Sequence, residues 1–214
     1  MHSSRSSDSA SNQLVFPHKN YKILVLIHED FSMIPFYPSR YLSHAMIVAM
    51  VVISIIGFAD YRIIQIFGFH FSGFSPEILP SLISSTVLFQ FLHGNLLHLM
   101  MNGLFIYQAG PEVESRMSRQ GFIRFFIGST LFVAVALALL SSGITIGMSG
   151  FCMALLSYLW IDLYTTRHPM ANQILIMLVL NILLGLSGNI SFVGHFFGAV
   201  WGLVWWKFFK TWKR

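Results

Sequence analysis

Apolar residues fall in long blocks separated by short polar stretches, and a window of about 20 residues, the helix length that crosses ~30 Å of hydrocarbon, finds six such blocks. They run roughly over 42–59, 94–111, 121–140, 149–164, 172–187 and 192–209. Each is long enough to predict a helix. Between the first two blocks, roughly 60 to 93, lies a stretch that contains Pro76, Pro80, Gly68 and Gly73 yet keeps many Phe, Ile and Leu. An aqueous loop would be more polar, so this stretch is expected to lie in the outer membrane interface with its apolar side down. Residues 1–40 are polar and irregular, beginning with a Ser-rich run that cannot bury enough apolar area to order itself, and are expected to form a flexible cytoplasmic tail. The apolar run from Ile23 to Ile27 is too short for the h-region of a signal peptide, so no segment is expected to be removed.

Composition agrees with the blocks. Of 214 residues, 55% are apolar and 10% charged, with a mean hydropathy of +0.68. A soluble domain carries roughly 25% charged residues, so too few are present to solvate a globular surface. The net charge of +5 points to membrane topology rather than nucleic acid, because the basic residues fall between the apolar blocks. With both termini cytoplasmic, that side receives Arg5, Lys19, Lys22, Arg40, Arg116, Arg119, Arg124, Arg167, Lys207, Lys210, Lys213 and Arg214, and only Arg62 falls outside. The expected architecture is an all-α membrane protein, a six-transmembrane-helix bundle over 41–210 with a short basic tail at 211–214. The single cysteine, Cys152, excludes an internal disulfide framework and a multi-cysteine metal site.

In this topology segments 2, 4 and 6 begin near the outer face, and their beginnings carry the chain's unusual polar residues. Segment 2 has His93, His98 and Asn102, segment 4 has Gly147, Ser149 and Gly150, and segment 6 has Gly194, His195, Gly198 and Gly202. Polar groups inside a membrane are costly enough to suggest function. From Ser149 to Asp162 is only ~20 Å of helix, so Ser149 should lie below the outer surface, and the uncharged loop 141–148 should dip inward to meet it. Backbone at such depth survives only where it is buried in protein or lines a wet cavity. Gly194, Gly198 and Gly202 form a groove into which another helix can pack closely. If that helix is segment 4, His195 comes within reach of Ser149 and could take its hydroxyl proton during nucleophilic attack. No acidic residue is available as a third member, so a Ser-His dyad is expected. His98 and Asn102 share a helix face and offer N–H donors suited to an oxyanion hole with the backbone N–H of Ser149.

Each feature alone has a plainer reading. Gly147, Ser149 and Gly150 read as small residues at a helix contact, His195 as a packed histidine, and His98 with Asn102 as interhelical hydrogen-bonding groups. His93 and His98 point about 140° apart on a helix, with no carboxylate near, which argues against a metal site. Cys152 reads as packing, the Trp201, Trp205, Trp206 and Trp212 group as an aromatic belt, and Glu112, Glu114, Arg116 and Arg119 as a surface cluster ending segment 2.

Taken together, the three segment beginnings resemble the rhomboid family of intramembrane serine proteases, with its H-x4-H-x3-N, G-x-S-G and H-x2-G-x3-G patterns in order. The resemblance runs from about Tyr41 to Lys210. It implies Ser149 as nucleophile, His195 as general base, and His98 and Asn102 at the oxyanion hole, with no metal or other cofactor. It also implies cleavage of single-span or other membrane proteins in or near their transmembrane helices, within the lipid bilayer and without nucleic acid. Glu114 and Arg116 resemble the family's acidic and basic pair after helix 2, and 60–93 its membrane-embedded first loop. Two departures stand out: Met153 replaces a Tyr that stacks on the catalytic His in many members, and Arg62 follows Tyr61 rather than Trp. A six-helix chain with no seventh resembles the bacterial form and implies the inner membrane. The competing readings are a catalytically silent relative that binds membrane clients and a small-solute transporter, although no internal repeat of the kind common in transporters is visible.

Overall fold

A computed structural model describes residues 36–73, 75–77, 79–187 and 191–209. Most of the expected N-terminal tail and the basic tail at 211–214 lie outside the described residues. Among the described residues eight α-helices follow in order: α1 (Leu42–Ala59), α2 (Tyr61–Phe67), α3 (Leu79–Leu88), α4 (Leu96–Ser115), α5 (Arg119–Leu140), α6 (Ser149–Thr165), α7 (Ala171–Leu184) and α8 (Phe192–Phe209). Helices α1, α4, α5, α6, α7 and α8 stand where the six apolar blocks predict them. By length and composition, α1 and α5 are long and apolar enough to cross a membrane.

Side-chain caps mark several helix starts. Asn95, Ser118 and Ser191 each accept a hydrogen bond from a backbone N–H three residues on, at His98, Gly121 and Gly194 respectively, as N-cap side chains do. The second apolar block runs roughly to residue 111 in the sequence. The helix continues as α4 to Ser115. Pro111 is buried there, and its neighbour Gly110 lies so close to Ser43 of α1 that a Cβ at Gly110 would collide with that side chain.

At the centre stands α6, with the nine residues from Phe151 to Leu159 all buried. A helix apolar all round is one enclosed by others. It packs against α4, α7 and α8 and more lightly against α5. Trp201 of α8 fits over Gly128 of α5, where any Cβ would strike the indole, and donates its Nε1–H to the Phe125 carbonyl at 3.0 Å. Trp201 thus acts as an interhelical tie, where the sequence suggested only an aromatic belt.

The charged residues that end segment 2 do more than form a surface cluster. The Glu114 carboxylate reaches α1 and accepts from the Leu42 N–H at 2.9 Å, and from the Ser43 N–H and hydroxyl at 3.1 Å each. It caps the start of a helix 70 residues earlier, where the orphan N–H groups and the helix dipole favour an anion. Arg116 pairs with Glu112 on α4 and, through Nε, with Asp162 of α6 at 2.9 Å. The other Asp162 oxygen accepts from Trp206 Nε1–H of α8 at 3.2 Å. Helices α1, α4, α6 and α8 are therefore tied together at one end of the bundle.

The stretch 60–93 consists of α2, α3 and a 3-10 turn at Phe89–Phe91. Phe69 and Thr145 exchange backbone hydrogen bonds at 2.9 and 2.8 Å, and Gly147 N–H donates to the Phe89 carbonyl at 2.8 Å. These three bonds stitch the stretch to the loop before α6. Arg62 takes no part, pairing at the surface with Asp60 at 2.7 Å.

Replacing Glu114 with Ala should remove the cap of α1. Loss of a helix N-cap costs about 0.5–2 kcal/mol, and here three hydrogen bonds go at once. The variant should unfold at a lower temperature in detergent than Glu112→Ala, whose partner Arg116 keeps Asp162.

Candidate active site

Helix α8 brings His195 to α6 through a contact in which backbone touches backbone. A Cβ at Gly198 would overlap the Gly150 carbonyl, and one at Gly202 would overlap the Ala154 carbonyl and the Ser157 hydroxyl. A Cβ at Gly150 would in turn stand 3.2 Å from the Gly194 carbonyl. The glycine groove therefore faces segment 4, the packing that the spacing left open as a condition, and at Gly198 and Gly202 on the α8 wall no side chain larger than hydrogen fits.

Above this contact lies a cavity of about 770 Å³ lined by Ser149, His195, His98 and Asn102, together with Met153 and Asn181. All four residues singled out in the sequence reach the same space. His195 and Asn102 are each 4% exposed, while Ser149 and His98 are half-buried. The loop 141–146 forms part of the wall. Its last turn uses Gly147 at φ +109°, where an L side chain is strained and where a Cβ would lie 2.6 Å from the His98 ring. Gly147 thus lets the imidazole of His98 lie directly on the loop that leads into α6.

His195 is oriented by an unexpected group. Its Nδ1 stands 2.8 Å from the backbone carbonyl of Asn181 on α7. A carbonyl only accepts, so Nδ1 carries the proton, and in the neutral ring Nε2 is left with its lone pair. That Nε2 is buried and has no hydrogen-bond partner among the described residues. The direct Ser149–His195 hydrogen bond expected from the sequence is not formed, although both residues line the cavity. Catalytic hydrogen bonds in unliganded sites are often long and tighten on binding.

The Asn181 carbonyl is available because α7 tightens at its end. Gly185 N–H bonds the Ile182 carbonyl as the chain turns into a 3-10 turn at Gly185–Ser187, which leaves Asn181 without its i+4 donor. Gly185 also lets the chain at Phe192 approach, since a Cβ there would lie 2.7 Å from the Phe192 Cα. No side-chain pattern announces a backbone acceptor, and sequence reasoning missed this one. Met153, standing where many relatives have the stacking Tyr, is buried beside the cavity while the ring is held from Nδ1.

Helix α6 begins differently from α4, α5 and α8. Its N-cap is Met148, which makes no side-chain cap, and Ser149 is its first residue. The opening N–H groups of a helix have no partner within it and carry the positive end of its dipole. An anion forming at Ser149 would meet those donors. The Asn102 Nδ2 is likewise buried without a partner. His93 does not belong to this set: its Nδ1 stands 3.0 Å from the Ser54 hydroxyl, which donates to the Phe91 carbonyl at 2.9 Å, and its ring meets His98 edge to face at 4.7 Å.

A family model for the rhomboid domain matches residues 81–211, more than half of the chain and all four of these residues. The chain belongs to the rhomboid family. Rhomboid proteins are integral membrane proteins and usually intramembrane proteases. A comparison with curated proteins finds no match.

Gly198→Val tests the rhomboid contact between α6 and α8. The branched side chain would meet the Gly150 carbonyl, and overpacking of this kind costs typically ~1–3 kcal/mol. A displacement of ~1 Å between reacting groups can cost about 10²-fold in rate. Thermal stability in detergent and fluorophosphonate labelling of Ser149 should fall together, whereas Val200→Leu should leave both near the parent values.

Proposed function

We propose that this rhomboid protein is an intramembrane serine endopeptidase that hydrolyses peptide bonds in or near the transmembrane helices of other membrane proteins. The observation that carries the reading is the environment of His195: Nδ1 is held by a carbonyl, and Nε2 is buried, unpartnered and in the same cavity as Ser149. His44 and His93 also leave Nε2 buried without a partner, but neither lines this cavity; of the three, His195 is the one that shares a space with Ser149.

In this mechanism His195 Nε2 takes the Ser149 hydroxyl proton as Oγ attacks the substrate carbonyl. The Asn181 carbonyl keeps the ring in the correct tautomer and stabilises the imidazolium that results, the orienting task that a carboxylate performs in a triad. The oxyanion is met by the free N–H of Ser149 at the start of α6, by Asn102 Nδ2 and by the His98 ring. His195 then returns the proton to the leaving amine, and water releases the acyl group with His195 again as base. No metal or other cofactor enters these steps. The chain crosses the membrane six times with both termini in the cytoplasm, as a multi-pass protein of the bacterial inner membrane; the basic residues between apolar blocks support that topology.

Cleavage of a panel of single-span reporter proteins, with fluorophosphonate labelling alongside, tests the reading. Ser149→Ala and His195→Ala should each abolish cleavage while expression and membrane insertion stay near parent levels. Retained cleavage in either variant would exclude the dyad. A folded parent chain that neither cleaves nor takes the label would instead mark a silent, client-binding protein.

His98→Ala and Asn102→Ala should each lower kcat by roughly 10²–10³-fold, as loss of one oxyanion donor does, with little change in KM. A large rise in KM with kcat intact would make the residue a binding contact instead.

A further inference from the structure

Cys152 lies three residues after Ser149 on α6, is 1% exposed, and is the only cysteine in the chain. Its Sγ stands 3.5 Å from Asn102 Oδ1 and 3.9 Å from the Asn102 backbone carbonyl, both on α4. We propose that Cys152 is a positioning residue, whose S–H···Oδ1 hydrogen bond fixes which way the Asn102 amide faces and so aims Nδ2 at the oxyanion.

An asparagine amide has one acceptor end and one donor end of nearly equal size, and only its partners decide between the two orientations. Asn102 is 4% exposed, so bulk water does not choose. With the thiol donating to Oδ1, Nδ2 is left buried and without a partner beside the cavity that Ser149 also lines. In the flipped orientation Nδ2 would point toward sulfur, a weak acceptor, and Oδ1 would face the position where negative charge develops. That arrangement replaces an attraction with a repulsion in the transition state alone. The thiol therefore acts on turnover rather than on substrate affinity. This inference rests on the proposed oxyanion role of Asn102.

Two experiments on the full-length chain in detergent test it. Because the chain has one thiol, its infrared spectrum contains a single S–H stretching band. That band should sit at the lowered frequency of a hydrogen-bonded thiol and move up in Asn102→Ala; an unmoved band would overturn the proposal, whether or not the chain is a protease. In reporter cleavage, Cys152→Ala and the bulkier Cys152→Val should each lower kcat about 10-fold with KM unchanged, less than the ~10²–10³-fold expected from deleting a whole oxyanion donor. In an Asn102→Ala background the same substitutions should have no further effect, because no amide remains to be oriented. Parent kcat in both Cys152 variants, or effects that multiply with Asn102→Ala, would overturn the proposal. Failure of the protease reading itself is distinguishable, since it would appear as cleavage that survives Ser149→Ala or as a folded parent chain that neither cleaves nor takes the fluorophosphonate label, while the infrared test stands in either case.

Discussion

The structure depends first on the place where α6 and α8 touch with no side chains between them. Gly150 and Gly198 bring two backbones into contact, and Gly202 continues the seam against Ala154 and Ser157. Close approach of this kind gains dispersion contacts that larger residues would forbid. Its geometric effect matters more: with the helix axes this near, residues one turn from the seam on the two helices open into one cavity. Ser149 precedes Gly150 by one position and His195 precedes Gly198 by three, so both are carried by the contact itself. The far end of the same helices is tied through Arg116, Asp162 and Trp206.

Around that seam the other elements supply what the two helices lack. Helix α4 contributes His98 and Asn102. The stretch 60–93 holds down the loop before α6 by hydrogen bonds between Phe69 and Thr145 and between Phe89 and Gly147. Helix α7 ends so that the Asn181 carbonyl is left to hold His195. Apart from the side chains of His98 and Asn102, these contributions come from backbone groups at loops and helix ends, which retain unused hydrogen-bonding capacity.

Much of this was legible in the sequence. The apolar blocks set the helices nearly to the residue at α1, α6 and α8, because Ser191 and the small residues before Ser149 mark sharp starts. The glycine spacing in α8 marked the face on which another helix would pack closely, without saying which helix that was. What escaped were interactions carried by groups that every residue has, or by partners distant in the chain. The Asn181 carbonyl, the Glu114 cap of α1 and the seat of Trp201 on Gly128 depend on tertiary placement, and no local pattern encodes them.

The bond between His195 and Asn181 has a consequence beyond orientation. A buried carboxylate in that place would have to be stripped of water, at several kcal/mol, and would lose its hold on the ring whenever it took up a proton. A peptide carbonyl carries no net charge and does not titrate over the range in which proteins stay folded. The grip on the imidazole is therefore indifferent to acidity, and no side-chain substitution at position 181 removes the oxygen that provides it. A change in the path of the chain at Gly185 would move that oxygen, so the backbone at the end of α7, rather than any acidic side chain, is where the tautomer of His195 is kept.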